Sequence, residues 1–192
     1  MSGFVGTVLA LLALVLAARA ANPEPPQIPE TFSADIRVEF HDPEITYFGA
    51  GRWDRDFSRN MSLENYTLEE ENRERIVYRL TRYDKKIEYE VNAYSMIHCT
   101  HTTLMGEQPF AWKFLSTAEY VGQREFHSRS LDIWETDMAD VRVEVGVDPE
   151  MANVPVILTR HFPGAEQVYE FATFNATAPN PDVFTIPAEC QD

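Results

Sequence analysis

The sequence predicts an all-β, mainly antiparallel domain, and two stretches and one shortage carry that reading. Residues 32–40, "FSADIRVEF", set Phe32, Ala34, Ile36, Val38 and Phe40 against Ser33, Asp35, Arg37 and Glu39. Residues 141–147, "VRVEVGV", set Val141, Val143, Val145 and Val147 against Arg142, Glu144 and Gly146. Strand side chains alternate between two faces, so each stretch reads as a strand with one dry and one wet face. Helical periodicity is nearly absent, with one short helix expected near 110–118.

The chain has 192 residues. Residues 1–20 read as a secretory signal peptide. Val8 to Ala18 is an unbroken apolar run, and Ala18-Arg19-Ala20 is a small-x-small cleavage signature. That run falls short of the ~20 residues a membrane helix needs, so a secreted product that is not an integral membrane protein is expected. Residues 21–30, "ANPEPPQIPE", form a proline-rich leader, extended and mobile by composition. Residues 31–192 are then one domain, with no repeat and no second composition regime.

Further strands are expected at 45–53, 75–80, 87–93, 119–126, 130–134, 140–147, 156–162 and 167–175. "YDKK" (83–86) reads as a hairpin turn. The polar segment that holds Asn60 and Asn65 reads as a loop, where glycans on their sequons would be exposed; a third sequon starts at Asn175. About nine half-dry strands need cover that helices cannot provide. Two sheets packed face to face, or one sheet curled on itself, both satisfy that need.

The charge balance limits the partners. Sixteen Lys and Arg face 31 Asp and Glu, a formal net charge of −15. Such a surface repels nucleic acid and anionic membrane. Cys99 and Cys190 are the only cysteines. In an oxidising compartment, without CxxC spacing, they read as one structural disulfide fastening the C-terminal tail.

Catalytic and metal motifs are missing: there is no GxSxG, HExxH, phosphate-binding glycine loop or EF-hand loop. In "HCTH" (98–101) a strand would send His98 and His101 to opposite faces, so structural histidines are expected rather than a metal site. The run Glu69-Glu70-Glu71, with Glu64 and Glu74, has no ordered calcium spacing and reads as a solvated turn. No enzyme, no cofactor and no metal is the expectation. Gly51-Arg52-Trp53 matches the lipocalin G-x-W, but the prolines in "NATAPNPDVF" exclude the late helix of that pattern.

Several segments resemble secreted animal proteins of the ependymin-related, LolA-like kind. "GRWDRDFSRN" (51–60) is similar to an aromatic-Asp…Arg segment, here Trp53, Asp54 and Arg59. "KIEYEVNAYSMIHC" (86–99) resembles a strand ending in cysteine, and "EYVGQREFHSRSLDIWETD" (119–137) a Gly…Asp-x-Trp segment, with Gly122, Asp132 and Trp134. "VPVILTRHFPG" (154–164) resembles a Pro-led strand, and the end of the chain an F-x-x-P-x-x-C closure, with Phe184, Pro187 and Cys190. The additional cysteines of full ependymins are absent.

The resemblance implies a strongly curved, half-open β-barrel around a hydrophobic cavity lidded by short helices. It implies a lipid or other hydrophobic ligand, with calcium or extracellular-matrix association in some members. The expected pocket takes Phe32, Ile36 and Phe40 from the first strand, Tyr89 and Val91 from residues 87–93, and Val143 and Val145 from residues 141–147, on one concave surface. The alternative is an extracellular structural or matrix glycoprotein, weakly associated with calcium, whose interior is simply its core.

Overall fold

The structure, a computed structural model, describes residues 23–70, 73–93 and 97–191. The expected signal peptide and Glu71 lie outside these residues. Eleven strands form one sheet: β1 (Phe32–His41), β2 (Thr46–Asp56), β3 (Met61–Glu70), β4 (Arg73–Arg82), β5 (Ile87–Ala93), β6 (Ile97–Thr103), β7 (Glu119–Phe126), β8 (Arg129–Met138), β9 (Val141–Val147), β10 (Pro155–Phe162) and β11 (Ala165–Phe171).

Every neighbouring pair is antiparallel, and the spatial order is β6-β5-β4-β3-β2-β1-β11-β10-β9-β8-β7. Two meanders, β1–β6 and β7–β11, therefore meet at the β1–β11 seam. β6 and β7 remain as edges, so the sheet curves without closing. The only chain that joins the meanders in sequence is residues 104–118, which leave one edge and enter the other.

That crossing segment lies over the concave face and supplies its cover. Trp112, Phe114 and Leu115 belong to the same buried cluster as Phe32, Ile36, Trp53 and Trp134. The dry face of β1 thus meets protein at its first residue. Phe32 is wholly buried, with ring centroids 5.3 Å from Trp53, 5.9 Å from Trp112 and 5.0 Å from Phe174. The expected helix is a single 3-10 turn, Lys113–Ser116.

The segment is fastened by a buried ion pair. Arg55 Nε lies 3.3 Å from Glu30, and Arg55 also donates to the Pro109 carbonyl. Glu30 accepts the backbone N–H groups of Ala111 (2.7 Å) and Trp112 (3.1 Å), and Trp112 Nε1 donates to Pro29 O at 3.1 Å. Burial of Ile28 adds an apolar anchor. Composition made the leader mobile; its last three residues are instead structural, because they satisfy donors that the crossing segment could not satisfy alone.

Two sequence readings need correction. Residues 61–70 form β3, an interior strand, and not a loop. The alternation is hidden because the apolar residues change face partway along: Met61 and Leu63 pack on the outer side, Tyr66 and Leu68 on the concave side. β11 ends at Phe171, four residues earlier than expected; Asn175 only bridges to Ser33.

Gly51 permits the curvature between β2 and β3. A Cβ there would overlap Asn65 O and the Tyr66 Cα, both closer than any ordinary contact. The missing side chain lets Tyr66 lie across β2, and the glycine of the Gly-x-Trp motif is accounted for by this close approach.

The outer face has its own cover. Phe184, in the 3-10 turn Pro181–Phe184, packs with Met61, Leu63 and Leu80, with Tyr78 and Tyr89 alongside. Cys99 and Cys190 are disulfide-bonded, with Cα atoms 5.5 Å apart, so the tail is held against β6.

Candidate functional site

Directly opposed residues in an antiparallel pair share a face, so the register sorts the concave surface into rows. One row runs Trp134, Val145, Leu158, Tyr169, Val38 and Gly49. The next runs Thr136, Val143, Arg160, Gln167, Phe40 and Tyr47. The aromatic cluster around Trp53 and Trp112 fills part of this surface. Two cavities remain on either side of the β10–β11 ladder.

The larger has a volume of about 440 Å³ and lies between the crossing segment and β8–β10. Val143, Leu158 and Phe162 form its floor, and Phe110 and Phe114 its roof. Phe110 and Met138 are about half exposed, which makes its mouth apolar. Two cations, Lys113 and Arg160, also line it, and no carboxylate does. Arg160 is half-buried and holds its guanidinium over the Tyr169 ring, 5.3 Å from the centroid.

The smaller cavity, about 250 Å³, is polar at its far side, where Arg75, Arg79 and Glu90 join Phe40, Tyr66 and Gln167. Gln167 lies opposite Arg160 in the β10–β11 register, so this pair marks where the two cavities abut. Tyr66, which lines this cavity, interacts electrostatically with Tyr169. Burial, then the charge of Glu64, holds the Tyr169 hydroxyl well above the usual tyrosine range; burial likewise raises Tyr66. For Arg79, burial opposes the charged form, but Glu64, Glu88 and Glu90 outweigh it and the pKa rises.

The expected pocket residues separate into three groups. Val143 lines the larger cavity and Phe40 the smaller. Phe32, Ile36 and Val145 face the same side but are sealed in the core. Tyr89 and Val91 do not belong to this surface: they oppose Leu80 and Tyr78, on the face covered by the tail. In β5 it is Glu88 and Glu90 that point to the concave side. The strand is amphipathic in the opposite sense from β1, because here the tail supplies the apolar cover.

Sequence reasoning missed Phe110, Phe114, Leu158, Arg160 and Phe162. The first two sit before and within a single 3-10 turn, too short to carry a periodic signal. The last three were legible as the alternate positions of "LTRHF" (158–162), with a basic residue at a position whose neighbours are apolar.

The remaining candidates are simply placed. His98 and His101 are exposed on β6, opposite Asn92 and Tyr89 respectively and hence on opposite faces. Among the described residues no three His, Cys, Asp or Glu side chains group as a metal centre, and no helix is long and apolar enough to cross a membrane. Asn60, Asn65 and Asn175 are all exposed, although Asn65 lies in β3.

No family model matches the chain, and no curated protein matches it. Among solved structures, the chain is similar to one in the MucA/MucB complex of Pseudomonas aeruginosa, with a TM-score of 0.44 and 14% identity over 84% of this chain. The match spans 57% of that chain's length. A DUF1329-family protein from Desulfovibrio piger gives a TM-score of 0.33 and 8% identity, covering 97% of this chain and 99% of that one. At such distance the architecture rests on the strand register described above.

Proposed function

We propose that this protein is a secreted carrier that holds a lipid or other hydrophobic ligand in the larger concave cavity, without a covalent step. The carrying observation is the cavity itself: about 440 Å³, floored by Val143 and Leu158, roofed by Phe110 and Phe114, and open through an apolar mouth. That volume is within the range of small-molecule sites, which are mostly apolar with a few placed polar groups. Each ligand methylene buried there contributes about 0.8 kcal/mol. The exposed positions of Asn60, Asn65 and Asn175, each opening a sequon, are compatible with a glycoprotein.

A second reading, an extracellular structural glycoprotein, is favoured by a different observation. Phe32, Trp53, Trp112, Phe171 and Phe174 fill the adjoining part of the concave face without ligand.

Val143→Trp separates the two. Val143 is buried at the cavity wall, so an indole there occupies ligand space. The carrier predicts that a fluorescent fatty-acid analogue binds the wild type and binds the variant at least about tenfold more weakly, a loss of ~1.4 kcal/mol, with a small shift in unfolding midpoint. A close-packed core predicts the reverse: no probe binding by the wild type, and an overpacking cost of ~1–3 kcal/mol in the variant.

A further inference from the structure

Resting on the carrier reading, we propose that the ligand is acidic: an apolar tail in the larger cavity with an anionic headgroup held by Arg160 and Lys113. The chain has 31 acidic and 16 basic side chains, yet the wall of this cavity contains two cations and no acid. Acidic side chains outnumber basic ones almost two to one in the chain, and in this wall the balance is reversed. Among the described residues neither Arg160 nor Lys113 forms an ion pair.

Arg160 occupies an inward position on β10, opposite Val143 on one side and Gln167 on the other. Half-burying a guanidinium against apolar side chains is costly unless something compensates. Tyr169 compensates part, through the negative face of its ring. The ring contact occupies one side of the guanidinium, and no carboxylate of the described residues pairs with it. The guanidinium edge is a fork of N–H donors whose geometry matches a carboxylate or a phosphate. Lys113, exposed on the crossing segment, brings a second charge to the same cavity from the roof.

The test is competition against a neutral probe. Nile red is titrated into the full mature protein and displaced by palmitate, by lysophosphatidate or by hexadecanol, which has the palmitate chain without the charge. For the wild type, at least one acid should displace Nile red about tenfold better than the alcohol, a difference of ~1.4 kcal/mol. The tighter of the two acids identifies carboxylate or phosphate as the headgroup. In an Arg160→Gln, Lys113→Gln double variant the acid-to-alcohol ratio should fall towards one, and Arg160→Lys should restore part of it. Lys113→Gln alone changes an exposed residue and keeps the test readable if the double variant folds poorly. Equal displacement by acid and alcohol in the wild type overturns the headgroup assignment and leaves the carrier standing. Failure to bind Nile red at all overturns both.

Discussion

Glu144 shows what one buried charge on the outer face requires. It is 2% exposed, yet it points away from the concave core, opposite Glu135 and Thr159. Arg124 Nη1 donates to it at 2.7 Å, and His161 Nε2 lies 2.8 Å away, with Glu166 2.8 Å from the other ring nitrogen. Burial pushes the Glu144 carboxyl up, but hydrogen bonds and charge from Arg124 and His161 outweigh it, so its pKa falls below the ordinary 4.5. A carboxylate with a depressed folded pKa contributes stability that is fully present above its unfolded value and lost as pH falls through the folded one. Glu144→Gln should therefore destabilise at neutral pH by about 1–3 kcal/mol. The gap between wild-type and variant unfolding midpoints should narrow once pH drops below about 4.5, the ordinary value of this carboxyl. A gap independent of pH would mean that the carboxylate charge contributes nothing.

At the scale of elements, the C-terminal tail acts as an added layer. Residues 181–190 carry no strand, but Phe184 is 2% exposed and covers Met61, Leu63 and Leu80. Tyr78 Oη donates to the Thr185 carbonyl at 3.0 Å, and the Cys99–Cys190 bond closes a sequence separation of 91. Chain-entropy estimates give such a bridge about 4–5 kcal/mol. Reduction should lower the unfolding midpoint substantially and expose the tail to limited proteolysis near Pro181 before the sheet itself is cut. Phe184→Ala with the disulfide intact should cost about 3–5 kcal/mol through the cavity it leaves. If reduction changes neither the midpoint nor the cleavage, the tail is held by packing alone.

For the molecule as a whole, stability should be graded across the sheet. β1 and β11 are flanked on both sides and lie beneath the aromatic cluster, whereas β6 and β7 are edges. Amide exchange should accordingly be slowest in β1, β2 and β11 and fastest in β6 and β7. The Ala111 and Trp112 amides, bonded to Glu30, should exchange at rates reporting the opening of the crossing segment. Uniform protection from edge to edge would show that the sheet opens only as one unit. The shape also explains why length and composition were poor guides to the interior. The concave face is covered by a connection between strands and part of the outer face by a tail, and neither has a periodic pattern.

What the sequence determined by itself was local. Strict alternation at 32–40, 87–93 and 141–147 specified strands, since only a period of two sorts those side chains, and the structure places β1, β5 and β9 there. The lone cysteine pair in a chain read as secreted specified the bond between Cys99 and Cys190. Tertiary structure decided which side of each strand faces which cover. Alternation states that two faces differ and carries no sign relating one strand's dry face to another's. Val143 and Tyr89 are equally regular positions, yet one lines the concave cavity and the other lies under the tail. Register connects them through ten strand pairings, and which face is buried depends on a tail and a crossing segment distant in sequence from the strands they cover.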